Sequence, residues 1–218
     1  MQVLACIIDK KLRYNGYIHI KEGDTMAVES TQDKILNAFI KLLGEVGFKS
    51  TTFNRIAEEA GVNPSTIFRN FHDKNGLLDS VVKRYIQDID SVFDNIQLQG
   101  ELEQDLITIS DSFQKFQLDH REIILVGLQA TLELPQVKAA SEKVPLVFKT
   151  YITNYLNQMK HQGVLQSDAD VEAMSLHLLW LNFGYFLTII RFTDKTLLIS
   201  QARFFETQIK PLARAWAK

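Results

Sequence analysis

The sequence predicts an all-α protein with an N-terminal three-helix helix-turn-helix domain and a C-terminal helical bundle. Three observations predict it. Apolar residues recur at three- and four-residue spacing from residue 30 onward, which is the period of one helix face. No convincing strand pattern follows residue 30, and only four prolines interrupt 218 residues. Finally, Thr52–Phe71, TFNRIAEEAGVNPSTIFRNF, reads as two short helices around a glycine-containing turn, the form of a helix-turn-helix. The second helix of such a pair is built to enter the DNA major groove.

Composition bounds the function modestly. Hydrophobic residues make up 46% of the chain, enough for a real core and too many for a disordered or collagen-like chain. The net charge of −2 argues against coating nucleic acid over the whole surface, yet DNA binding needs only one basic face. Cys6 is the single cysteine, so no intrachain disulfide forms and a reducing, cytoplasmic location is expected.

Residues 1–25 do not fit this pattern. The apolar run Val3–Ile8 is cut off by Asp9, Lys10 and Lys11, with no charged region ahead of it, unlike a secretory signal. Lys21-Glu22-Gly23 can be encoded by a bacterial ribosome-binding sequence, with Asp24 and Thr25 as spacer, so Met26 is the expected start. The competing reading is a native extension with a short hairpin at Asn15-Gly16.

The elements then follow in order. Ser30 or Thr31 caps a helix whose apolar face is Ile35, Phe39, Leu42, Leu43 and Val46, and Gly47 stops it. Thr51 or Thr52 caps the next, with Phe53, Ile56, Ala57 and Ala60 inward. Asn63 is a good N-cap and Pro64 suits the first helical position. Ile67 and Phe71 share the inward face. A fourth helix starts near Lys74 and runs to about Gln97, before Gly100. Further helices are expected over Glu101–His120, Arg121–Leu134, Gln136–Gln162 with a kink or break at Pro145, Asp168 or Asp170 to Phe192, and Lys195–Trp216, shortened or bent at Pro211. Ala173–Ile190 carries no charge, a length that could span a membrane. Its Ser175, His177, Asn182, Gly184 and Thr188 favour a helix buried on all sides instead, against its own domain and a second subunit.

Residues Lys34–Val82 resemble the DNA-binding domain of the TetR family of transcriptional regulators. The matching pieces are ILNAFIKLLGEVGFKSTT, IAEEAGV, STIFRNF and a lysine followed by LL. The resemblance implies a domain at 29–75 that binds DNA and a helical domain at 76–218 for effector binding and dimerisation. It places Thr51 and Thr52 at a helix start that meets phosphate. Asn63, Ser65 and Thr66 would reach base edges, Arg69 would contact guanine or phosphate, and Lys74 would hold phosphate. Three positions depart from the family. Phe68 stands where Tyr is usual and has no hydroxyl for a phosphate, though its ring can pack on sugar or a thymine methyl. Asn70 stands where His is frequent, and Pro64 where Lys is frequent.

The family usually binds a small molecule among its long helices. Phe113, Phe116, Tyr151, Tyr155, His177 and Trp180 are the candidate residues for a small apolar or amphipathic effector, although aromatics equally fill cores. No histidine spacing of metal-ligating type, no GxSxG and no glycine-rich phosphate loop is present. No catalytic residue, metal or cofactor is therefore expected. The expected function is a homodimeric, ligand-responsive repressor at a palindromic double-stranded DNA operator, with no membrane partner. The alternative keeps the fold but gives the C-terminal domain a partner protein in place of a small molecule.

Overall fold

The computed structural model describes residues 30–130, 134–192 and 194–218; the leader at 1–25 and a start at Met26 lie outside them. No strand occurs among the described residues, and the sole extended pairing there is an isolated antiparallel bridge between Leu165 and Ala217. The chain divides into two compact units, one ending at Leu77 and one running Leu78–Lys218.

In the first unit, α1 spans Thr31–Ser50. The Ser30 hydroxyl oxygen accepts the Asp33 N–H at 3.1 Å, satisfying a donor that the helix start leaves over. Ile35, Leu36, Ala38, Phe39, Leu42 and Leu43 form its buried face. Gly47 interrupts the helix at φ 77° and ψ 168°, a backbone setting that side chains disfavour. α2 spans Phe53–Ala60 and α3 spans Pro64–Phe71. They bury Ile56, Ala57, Ile67 and Phe71, each large side chain contributing about 1.5–3 kcal/mol when removed from water. Asn63 caps α3 and Pro64 opens it, as the sequence predicts.

α4 spans Lys74–Val92, shorter than expected, and a 3₁₀ turn at Phe93–Asn95 follows. The Asp105 carboxylate explains where the chain goes next. It accepts the Gln99 N–H at 2.7 Å and the Gly100 N–H at 2.9 Å, so residues 99–100 are held in a turn instead of a helix.

The second unit contains α5 (Leu102–Asp119), α6 (Arg121–Ala130), α7 (Pro135–His161), α8 (Val171–Arg191), α9 (Gln201–Phe204) and α10 (Lys210–Trp216). α5, α7, α8 and the C-terminal helices share one core, with Leu106, Ile109, Ile152, Leu156, Leu178, Phe204 and Ile209 inside it. Pro145 does not break α7. A proline inside a helix costs about 3 kcal/mol or more, and burial of Val144 and Phe148 on either side carries the helix past it. The last helix does not start at Lys195. Ser200 caps it by accepting the Arg203 N–H at 3.2 Å, and a π-helical turn at Phe205–Ile209 precedes Pro211. That wider turn accommodates a ring that would strike the carbonyl four residues back in a regular helix.

α8 is long and apolar enough to cross a membrane by length and composition. Its inward side nevertheless carries a buried polar network. The Asn182 amide N–H group donates to the Ser110 hydroxyl at 3.1 Å and the Leu178 carbonyl at 2.9 Å, and its amide oxygen accepts from Gln114 at 2.8 Å. Gln201 donates to the Gln114 amide oxygen at 3.1 Å.

Candidate nucleic-acid interface

The helix-turn-helix is fixed by its caps. Thr52 caps α2 by accepting the Arg55 N–H at 3.4 Å. Gly61 closes α2 in the left-handed region, φ 66°, where glycine has no Cβ to clash. The Asn63 side-chain oxygen accepts both the Ser65 N–H at 2.9 Å and the Ser65 hydroxyl at 2.7 Å. With Ile67 and Phe71 buried, α3 exposes Ser65, Phe68 and Arg69 and leads to exposed His72, a spacing of three, four and seven residues along one face.

The site residues expected from the sequence divide into two groups. Thr52, Asn63, Ser65, Phe68 and Arg69 are exposed, and Thr66 is half-buried. Thr51 is fully buried, and its hydroxyl donates to the Gly47 carbonyl at 2.9 Å. That hydroxyl is directed into the first unit and does not meet a phosphate there; Thr51 instead closes the break in α1. Asn70 is tied internally: its amide N–H donates to the Thr66 carbonyl at 2.7 Å and its oxygen accepts from Gln32 at 3.2 Å. Lys74 donates to the carbonyls of Phe48 at 2.8 Å and Lys49 at 3.4 Å. Gln32 and Phe48 are partners that no local sequence signal reveals, because they lie 38 and 26 residues away. Arg55, exposed on α2 and 3.4 Å from the Ser50 carbonyl, adds a cation beside this group.

The link from α3 to α4 is unusual. His72 has φ 62° and ψ −53°, and the Asp73 N–H donates to the Phe71 carbonyl at 2.7 Å, a γ-turn with strained central geometry. Asp73 then caps α4 through the Gly76 N–H at 2.8 Å.

Residues 35–81 match the sequence model described as bacterial regulatory proteins, tetR family. The chain is thus similar to the TetR family over its helix-turn-helix. Among TetR-type and related regulators, it is 29% identical to the HTH-type transcriptional regulator YvkB of Bacillus subtilis over 177 residues, covering 81% of this chain and 92% of that protein. The fold is similar to that of the transcriptional regulator FadR of Bacillus subtilis in complex with stearoyl-CoA, with TM-score 0.63, 15% identity, and 83% and 96% of the two chains covered. It is also similar to a TetR-family regulator of Cytophaga hutchinsonii, with TM-score 0.64, 13% identity, and 86% and 94% covered.

The effector candidates fall into three places. Phe113, Phe116 and Tyr151 belong to an aromatic cluster. Phe113 lies 3.8 Å and Phe116 5.8 Å from the Phe148 ring centre, and Tyr151 stacks on Phe93 at 4.0 Å. Tyr155 is buried and donates its hydroxyl to Asp105 at 3.0 Å; burial first, and that hydrogen bond second, push its phenol well above the usual range. His177 and Trp180 do not join either group. Both are exposed on α8, Trp180 by 65%, because the helix turns its other face to the core.

Proposed function

We propose that this chain is a TetR-family regulator and acts as a homodimeric, ligand-responsive repressor in the cytoplasm. Residues 29–75 form its DNA-binding domain and residues 76–218 its effector-binding and dimerisation domain. The observation that carries the DNA reading is the exposed stripe Ser65, Phe68 and Arg69 on a firmly capped α3. Two such helices, one per protomer, would read a palindromic operator.

The dimer face is the exposed side of α8. Ala173, His177, Trp180 and Gly184 recur there at helical spacing, and a large exposed apolar group in such a stripe marks an interaction site. This moves His177 and Trp180 from the effector site to the subunit interface. The effector is a small apolar or amphipathic molecule held in the second unit beside the Phe113–Phe148 cluster. It would release DNA by favouring one spacing of the two recognition helices.

The test is fluorescence anisotropy with a labelled fragment from upstream of its own gene, competed with random DNA, followed by addition of stearoyl-CoA, the ligand of FadR. Tight, competition-resistant binding that an effector releases supports the reading. Specific binding indifferent to acyl-CoA rejects that effector class. Binding no tighter than to random DNA rejects an operator in that fragment and favours the partner-protein alternative.

A further inference from the structure

The hydrogen bonds of the first unit leave few polar readers on α3. Asn70 is occupied at both ends of its amide by Thr66 and Gln32. The Asn63 oxygen holds the N–H and the hydroxyl of Ser65. Lys74 rests on the carbonyls of Phe48 and Lys49. What α3 presents most fully is an apolar ring: Phe68 is 61% exposed while its neighbours Ile67 and Phe71 are buried. Its aromatic neighbour is His72, edge-on with ring centres 6.5 Å apart, so the ring is braced on one side and uncovered on the other.

We propose that Phe68 is a specificity-determining residue that reads the C5-methyl group of a thymine in the major groove. The inference rests on the DNA surface proposed above. A phenyl ring has no donor or acceptor, so it forms no hydrogen bond to phosphate and distinguishes no hydrogen-bonding edge. Among the groups that base pairs show in the major groove, the thymine methyl is the apolar one. Covering a ring and a methyl together removes apolar surface from water on both partners. Arg69 beside it and Ser65 one turn before it supply polar contacts to the neighbouring positions.

The experiment uses the full chain and a duplex selected by it from a random-sequence pool. Each thymine is replaced in turn by deoxyuridine, which deletes only the methyl. Affinities are measured for the unaltered protein, Phe68→Ala and Phe68→Leu. Deoxyuridine at a single thymine of one half-site should weaken the unaltered protein about four-fold, the loss of one buried methyl. Phe68→Ala should bind the thymine duplex more weakly and treat both duplexes alike, and Phe68→Leu should keep part of the discrimination. The salt dependence should stay the same in all three, because no phosphate contact is lost. Two results overturn the proposal: indifference of the unaltered protein to deoxyuridine at every position, or a sensitivity that persists undiminished in Phe68→Ala. A selection that enriches no duplex overturns the DNA surface itself, and this inference with it. Thermal melting separates binding loss from unfolding, and the exposed ring predicts unchanged melting.

Discussion

The Lys74 ammonium donates to the Phe48 carbonyl at 2.8 Å and stands 4.6 Å from the centre of the Phe48 ring. It thus closes the carbonyl end of α1, where a cation opposes the negative end of the helix dipole. An ammonium has three donors, so it can keep this bond and still offer a hydrogen to a phosphate. Lys74→Ala should therefore have two effects. Stability should fall by about 1–2 kcal/mol in chemical denaturation. DNA affinity should fall for all sequences, with the salt slope reduced by about 1 per half-site. A variant that loses stability alone would leave Lys74 as a cap only.

Gly76 has no room for a side chain. A Cβ there would collide with the Phe71 carbonyl oxygen, which itself accepts the Asp73 N–H in the γ-turn. Neither backbone can yield without breaking the α3–α4 link. Gly76→Ala should cost about 2–3 kcal/mol, at the upper end for overpacking, and thermal unfolding would read it. An unchanged melting temperature would mean that this turn relaxes freely.

Asn182 is the centre of the polar network between α5 and α8. Asn182→Leu removes the partner of the Gln114 amide and of the Ser110 hydroxyl, both buried. The expected loss is about 2–3 kcal/mol, since a buried donor on Gln114 and a buried acceptor on Ser110 left unpaired carry their desolvation cost. Adding Gln114→Leu should destabilise by less than the sum of the two single changes. Additive losses in denaturant titrations would argue against a coupled network.

Trp180 tests the subunit interface. Placing a charge at a 65% exposed position costs a lone monomer little, but it would be desolvated at an α8–α8 contact. Trp180→Glu should shift the protein from dimer to monomer in light scattering at micromolar concentration and abolish tight operator binding. A monomer before the change, or a dimer unaffected by it, would place the interface elsewhere.

Much of the first unit was legible because its signals are local. Ser30, Gly47, Gly61, Asn63 and Pro64 act within a few residues of their own position. The roles of Thr51, Asn70 and Lys74 were harder to read. Each has a side chain suited to phosphate or base, and only the packing of α1 against the motif shows that each already holds an internal acceptor or donor. In the second unit, Pro145 and Lys195 misled for the same reason. Proline and charge mark boundaries on average, but burial of Val144 and Phe148 and the Ser200 cap set the actual ones.

The helical class, the helix-turn-helix and the TetR resemblance are legible along the chain, because apolar period, caps and turn glycines are properties of neighbouring residues. Which side chains remain available is set by tertiary packing. Exposure and hydrogen-bond partners depend on residues far apart in the chain, as Asn70 with Gln32 and Tyr155 with Asp105 demonstrate. It turned Thr51 inward, tied Asn70 and Lys74 to the backbone of their own unit, set Trp180 on the outside of α8, and left Phe68 uncovered.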